Sequence, residues 1–340
     1  MDKNKLVSVA FLNYNGLKIL KKTLPSLINL KDGVKKEIIV VDNDSKDGSQ
    51  EYVKLLSNKK LKNNLIKGVK LVANKENLGS PGINSVIGNF KGDYLFITDN
   101  DIELDKECLP NLIKTLDSDS SIGAVGPTYV NYFDRSIIES TGNLMSRSFY
   151  NGKLKIKGAD NLSKLKFLGN LEVPFEGILL LRSDEIKSLK YIFDPDFFLY
   201  GEDVDLGLRI WLSGKKVVYV PKAVVYHMES VTTKKSFSSA RITYFRERNL
   251  LATFFKILEW KNIICLSPYV VGMRFVGMIK DLLTLNFYNI FARLKAIFCV
   301  LIDFRKTLEK RKLIQKNRKI RDKELLKLFT ESFIFKIKDY

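Results

Sequence analysis

The feature that most limits the fold of this chain is a set of four short apolar runs, each stopping at an acid or an amide. LVSVAFLN (6–13) ends in Asn13, EIIVVD (37–42) in Asp42, VKLVA (69–73) stops before Asn74, and DYLFIT (93–98) stops before Asp99. Helix-like stretches lie between them, at 17–30, 48–57 and 81–90. Apolar runs of this length, separated by helices, predict a mostly parallel sheet with helices on both faces, an α/β fold. In such sheets ligands bind beyond the carboxyl ends of the strands. The residues that close each run are therefore the candidates for chemistry.

The composition removes several alternatives. The 340 residues include a single histidine, His227, so no multi-histidine zinc site fits in one chain, and any triad chemistry must run through that residue. Cys108, Cys265 and Cys299 are far apart, which argues against a disulfide framework and for a reducing compartment. The N-terminal apolar run leads into Asn13-Tyr14-Asn15-Gly16, so no secretory signal is expected.

The charge is uneven. The total is +19, from 57 Lys+Arg and 38 Asp+Glu. Residues 1–240 carry 35 basic and 29 acidic groups (net +6), and residues 241–340 carry 22 and 9 (net +13). An excess of this size raises nucleic acid or an anionic membrane as a partner. From about 241 the pattern becomes helical: 240–260, 263–285 and 288–310, with Phe291, Leu294, Phe298 and Leu301 at three- and four-residue spacing. No clean membrane span is expected in this region, because its longest charge-free stretch is the 12 residues Asn262–Met273 and a span needs ~20.

Acids recur where ligands should bind. Asp42-Asn43-Asp44 and Asp99-Asn100-Asp101 follow two of the runs, and Glu202, Asp203 and Asp205 open a predicted helix behind Phe197-Phe198-Leu199-Tyr200. Turn and cap chemistry explains one such cluster. Three are more than caps require. Asp-x-Asp suits a divalent ion facing a nucleotide, since Mg²⁺ and Mn²⁺ favour carboxylate and phosphate oxygen. A carboxylate of the third cluster, held against aromatic surface, suits a general base. A lone histidine is usually structural. His227, however, closes a strand-like run, and a neutral imidazole beside one carboxylate suits Mn²⁺.

Together these residues resemble glycosyltransferase family 2, of the GT-A fold, over about residues 5–250. The ordered series is VSVAFLNYNG (7–16), EIIVVDNDSKDGS (37–49), NLGSPGIN (77–84), GDYLFITDNDIELD (92–105), FEGILLLR (175–182), FFLYGEDVDLGLR (197–209) and VVYHMES (224–230). With YFRERN (244–249) following, it looks most like the rhamnosyltransferase-like and galactofuranosyltransferase-like branch. The resemblance implies a Rossmann-like GT-A domain over 1–240 and a basic amphipathic helical region over 241–340. The nucleotide-sugar half would be 1–127 and the acceptor half 128–240.

It also implies roles. Asp42 would contact the nucleobase and Asp99 the ribose. Asp101 and His227 would hold Mn²⁺ or Mg²⁺. Asn13, Asn77, Gly79 and Asn84 would line the nucleotide. Asp203 would be the catalytic base, Glu202 would sit beside it, and Asp205 would orient groups on the acceptor side. Glu176 is assigned an acceptor contact, and Tyr129, Tyr132, Arg147 and Tyr150 would shape that side. Asn100 inside Asp-x-Asp, and Ser80-Pro81 where glycine-rich residues are common, depart from the pattern.

The implied reaction is inverting transfer from a UDP- or dTDP-linked sugar to a hydroxyl of a glycan or lipid-linked glycan, in cell-surface polysaccharide synthesis. The implied location is cytoplasmic and peripheral on the inner face of the cell membrane, with a homo-oligomer as a further expectation. A sugar nucleotidyltransferase would bring a basic glycine-rich loop near the N-terminus, and 13–16 lacks one. A nucleic-acid binder would not place acids at its strand ends, so no nucleic-acid partner is expected.

Overall fold

The computed structural model describes residues 5–154, 162–165, 167–228 and 237–331. All four apolar runs are strands: β1 (Leu6–Asn13), β2 (Lys35–Asp42), β3 (Ile66–Ala73) and β4 (Tyr94–Thr98). They pair in parallel in the order β3-β2-β1-β4. The main sheet has ten strands and adds β5 (Ile102–Leu104), β6 (Ile122–Asn131), β7 (Ile138–Ser140), β10 (Leu171–Glu172), β11 (Leu179–Arg182) and β12 (Lys216–His227). Antiparallel β11 sits between β4 and β6, and β12 runs parallel to β6. A small second sheet joins β8 (Asn143–Ser146) and β9 (Asn151–Lys153) to β13 (Phe329–Thr330).

The chain leaves β1 on one side to form β2 and returns on the other to form β4. That places the switch point of the sheet between β1 and β4, where a crevice opens at the carboxyl ends. Asn13 and Asp99 stand there.

Alternation along the strands builds two core layers. Val7, Val9 and Phe11 of β1 pack with Leu20 and Leu24 of α1 (Leu17–Asn29) and Leu109 and Leu112 of α3 (Cys108–Ser118). The helix α2 (Ser49–Ser57) lies between β2 and β3 in sequence, and α4 (Leu162–Leu165) and α5 (Ser183–Ser188) are short. Ala10 faces the other way, into a layer with Phe175 and with Leu206 of α6 (Glu202–Leu212). That layer continues into Phe254 of α7 (Ser239–Ile257), Val270 of α8 (Trp260–Leu283), Val300 of α9 (Phe287–Ile302) and Ile314 of α10 (Phe304–Lys316). The C-terminal helices therefore share a core with the sheet.

Three local expectations differ from the structure. The stretch 81–90 is not an α-helix; Ser80–Val86 is a 3₁₀ turn. Pro81 has no N–H to give, and a Cβ on Gly82 would strike Asn43, so the backbone runs too close for a full helix. The two runs before His227 form one strand, with a register shift between Val220 and Val224. Pro221 lies in that shift and cannot donate to the ladder. Finally, α8 is a helix of 24 residues, long and apolar enough by length and composition to cross a membrane, although no clean span was expected there. Arg274 and Asp281 face the protein, and the exposed surface is mostly apolar, with Lys261 and Lys280 near its two ends.

Candidate active site

The crevice at the β1/β4 switch point holds a cavity of about 350 Å³ lined by Asn13, Tyr14, Asn43, Asn77, Gly79, Asp99, Asp101, Phe198, His227 and Phe237, among others. A second space of about 180 Å³ adjoins it through Leu12, Ser80 and Asp99, and is lined by Gly177, Glu202 and Asp203. A larger cavity, about 590 Å³, lies against Lys190, Lys215 and Lys319 and contains none of these groups.

Each acid is placed by a local device. Asp99 and Asp101 follow β4 directly. Glu202 and Asp203 open α6 after Tyr200 (φ 64°) and Gly201 (φ 85°), a left-handed pair that turns the chain sharply into the helix. A tyrosine in this region costs about 1–3 kcal/mol, and such strain gathers at functional sites. The Asn249 amide holds the turn by donating to the Leu199 and Tyr200 carbonyls, at 3.0 and 2.6 Å. Gly79 (φ 68°) is required as well, because a Cβ there would lie 2.0 Å from the Phe198 carbonyl oxygen.

The electrostatics of the site are those of acids without a cation. Among the described residues, no Lys or Arg lines either space. Asp99 opens onto solvent in the cavity but lies deep in the protein, and the depth governs its titration. Loss of hydration, with the Asp101 charge adding, pushes its pKa up to about 6. Burial also raises Asp101, against the pull of His227. Burial and the neighbouring Asp203 push Glu202 up to about 8, so it is neutral at pH 7. Ser80 Oγ donates to Glu202 Oε1 at 2.6 Å, and Glu202 Oε2 is buried without a partner. Burial raises Asp203 too, and Arg246 works against it.

His227 Nε2 lies 3.6 Å from Asp101 Oδ2, while its Nδ1 is 2.8 Å from Glu139 Oε2. The Glu139 contact fixes the ring and leaves Nε2 facing Asp101. Among the described residues, no three His, Cys, Asp or Glu groups come together as a metal cage. The donor set at this point is one carboxylate, one imidazole and a second carboxylate nearby. It fits Mn²⁺ or Mg²⁺ if phosphate and water supply the remaining ligands.

Several sequence-predicted residues are placed elsewhere. Asp205 does not reach the cavity. It is buried and paired with Arg209 at 2.8 Å and with Lys256. Two residues along a helix rotate a side chain by about 200°, so Asp203 and Asp205 face opposite sides. Asn84 does not line the cavity either; it clips the Ile192–Phe193 backbone, accepting from both N–H groups at 2.9 Å. Asp42 is buried behind the wall, where it accepts from Asn13, Ser45 and Gln50. Its reach to the cavity is through Asn13. Glu176 is sealed against Gly126 and accepts from Asn143 at 3.0 Å. Arg147 pairs with Glu331, just after β13, and the Tyr150 hydroxyl donates to Glu247 of α7, so both face the C-terminal region.

Sequence reasoning missed Glu139, Asn43, Tyr14, Phe198 and Phe237 as site residues. Glu139 carries no sequence signal, being 88 residues from the histidine it holds. Asn43 and Tyr14 could have been found, since each directly follows a strand-end residue already singled out.

A largely parallel sheet with a switch-point crevice, an Asp-x-Asp at the end of β4 and an acid-bearing helix opposite are the features of the GT-A fold. The comparisons agree. The model of the family described as glycosyl transferase family 2 matches residues 8–168. The match covers a little under half of the chain, and with its glycosyltransferase relatives it makes the protein a glycosyltransferase whose residues 8–168 resemble that family.

The chain is 25% identical over 295 residues to a dolichol-phosphate mannosyltransferase of Pyrococcus furiosus, covering 85% of this chain and 73% of the relative. It is 26% identical over 252 residues to a chondroitin synthase of Escherichia coli, covering 66% of this chain but only 34% of that protein. Among solved structures, it superimposes on GalNAc-T7 with UDP, GalNAc and Mn²⁺ at a TM-score of 0.61 and 17% identity, covering 90% of this chain and 58% of that one. It superimposes on the Pyrobaculum calidifontis mannosyltransferase PcManGT with GDP-Man and Mn²⁺ at 0.51 and 17%, covering 87% and 75%. At these identities the likeness is one of fold.

Proposed function

We propose that this protein is an inverting, metal-dependent glycosyltransferase that moves a sugar from a UDP- or dTDP-linked donor to a hydroxyl of a glycan or lipid-linked glycan in cell-surface polysaccharide synthesis. The observation that carries the reading is the group of four acids, Asp99, Asp101, Glu202 and Asp203, around one crevice with no lysine or arginine lining it among the described residues. Uncompensated buried carboxylates are costly unless a bound cation offsets them. Solved structures of similar fold named with UDP or GDP-mannose and Mn²⁺ support a nucleotide sugar and a metal.

In this reading Asp101 and His227 hold the ion, with Glu139 fixing the imidazole. Bound Mn²⁺ or Mg²⁺ would neutralise charge on the β-phosphate. Asn13, Asn43, Asn77 and Gly79 line the nucleotide, and Asp99 faces the ribose. Asp203 takes the proton from the acceptor hydroxyl as that oxygen bonds to the anomeric carbon. The bond from that carbon to the phosphate oxygen breaks, and the nucleoside diphosphate leaves with the electron pair. Burial raises the pKa of Asp203, which makes its carboxylate a stronger base than a solvated one. Glu202, neutral, donates or accepts through its free oxygen without adding a second charge. Residues 1–240 are the catalytic domain, and the protein works peripherally at the cytoplasmic face of the cell membrane.

Asp203→Asn tests the assignment. Transfer is expected to fall by about 10²–10⁴, with binding of the nucleoside diphosphate and Mn²⁺ unchanged. Near-normal turnover would remove Asp203 from the role of base.

A further inference from the structure

The helices α8 and α9 are inside out for a protein surface. On α8 the buried residues are Ile263, Val270, Arg274 and Asp281; on α9 they are Asn289, Ala292, Ala296 and Val300. Arg274, Asp281, Asn289 and two alanines point inward with Ile263, Val270 and Val300, while most of the large apolar residues point outward. Of 23 exposed large hydrophobic residues among those described, 17 lie within residues 260–302. Phe275, Ile279, Tyr288, Phe291, Phe298 and Leu301 are each more than half exposed. Isolated exposed apolar side chains need no explanation, but a continuous patch of this kind marks an interaction surface.

The charges on the same face choose the occupant. Lys261, Lys280 and Lys295 are exposed, and the one acid of this segment, Asp281, is buried against Arg293 at 2.8 Å. A second copy of the same face would bring lysines against lysines. Anionic lipid headgroups complement the lysines, while acyl chains take the phenylalanines. The helices cannot leave the protein to cross the bilayer without breaking buried ion pairs. Arg274 pairs with Glu247 at 3.2 Å and donates to the Ser148 carbonyl, and Arg293 pairs with both Glu247 and Asp281.

We infer that the outward face of α8 and α9 lies flat in the headgroup region of an anionic leaflet, and that it sets the mouth of the catalytic crevice beside the lipid. The second part follows from a short chain of contacts. Phe237 lines the crevice, Ser239 Oγ lies 3.3 Å from Asn289 Oδ1, and Tyr288 precedes Asn289 on the lipid-facing side. An acceptor anchored in that leaflet thus presents its hydroxyl near Asp203. The inference rests on the membrane location proposed above and gives it a surface and an orientation.

The test is co-sedimentation of the full chain with phosphatidylcholine vesicles, with and without phosphatidylglycerol. The wild-type protein is expected to sediment with the anionic vesicles. The variant F291S/F298S/L301S should bind at least tenfold more weakly while keeping its Tm and its affinity for nucleoside diphosphate with Mn²⁺. A second variant, K261E/K280E/K295E, should lose the preference for phosphatidylglycerol. Unchanged vesicle binding by both variants would overturn the surface assignment and leave the location standing. No binding by the wild-type protein to any vesicle would overturn both. A wild-type dimer that the serine variant converts to monomer would show that a second copy covers the face instead.

Discussion

Two groups of acids sit on opposite sides of α6 and have opposite partners. In the crevice, Asp99, Asp101, Glu202 and Asp203 gather where no Lys or Arg among the described residues lines the space, and loss of hydration raises each pKa. Behind the helix, Asp194 and Asp205 are enclosed by Lys256, with Lys310 and Arg209 completing the set. Burial alone would raise Asp194, but the two lysines outweigh it and hold its carboxyl well below the usual range. Glu247 and Asp281 are matched in the same way by Arg274 and Arg293. The same residue type thus does two jobs. Acids supplied with cations fasten the C-terminal helices to the sheet domain, and acids left without them are the ones to which we assign the metal and nucleotide.

The comparison is broken most directly by removing the proposed ligands. Asp101→Asn should abolish detectable Mn²⁺ dependence and lower transfer by about 10²-fold or more, with little change in Tm, because the group has no protein cation to lose. A variant with normal turnover and normal metal dependence would put Asp101 with the structural acids. On the other side, Lys256→Ala should destabilise the fold by about 3–5 kcal/mol, since it removes the buried cation that Asp194 and Asp205 share and leaves each with one partner. Thermal unfolding of this variant measures it, and a change below about 1 kcal/mol would show that the network is not an anchor.

A smaller effect separates positioning from ligation. Glu139→Gln should weaken Mn²⁺ binding by about 10–100-fold, read by calorimetry, while leaving nucleotide affinity in saturating metal unchanged. The smallest effect concerns Glu202. Its folded pKa, about 8, lies above the ordinary 4.5. The folded state therefore holds a proton that the unfolded state releases, and stability should fall as pH rises from about 4.5 to 8 and level off beyond. Glu202→Gln should reduce that slope and leave the part that Asp99, Asp101 and Asp203 contribute. For Asp194 the sign reverses, and stability is lost as pH falls below the ordinary carboxylate range.

Much of the sheet was legible because its strands are buried on both faces and read as unbroken apolar runs. The boundaries of β1 coincide with the expected ones, and the acids after β4 sit where the switch-point rule puts ligands. Helix phase was also available in the sequence, and applied to Glu202-Asp203-Val204-Asp205 it separates Asp203 from Asp205 before any coordinates are seen. The pairing of His227 with Glu139 was not available, nor was the anchoring of α6 by Asn249. Both depend on strand order and on contacts between distant segments. The apolar face of α8 and α9 was legible as composition only. Which side would be buried was decided by Glu247, whose partners lie on two later helices.

The central claim is that the crevice acids are a cation and nucleotide site. Titration calorimetry of UDP and dTDP into the full chain, with and without Mn²⁺, tests it most directly. The account predicts nucleotide binding that strengthens at least tenfold when Mn²⁺ is added and loses that gain in Asp101→Asn. Equal affinity with and without the metal, unchanged in the variant, would contradict it.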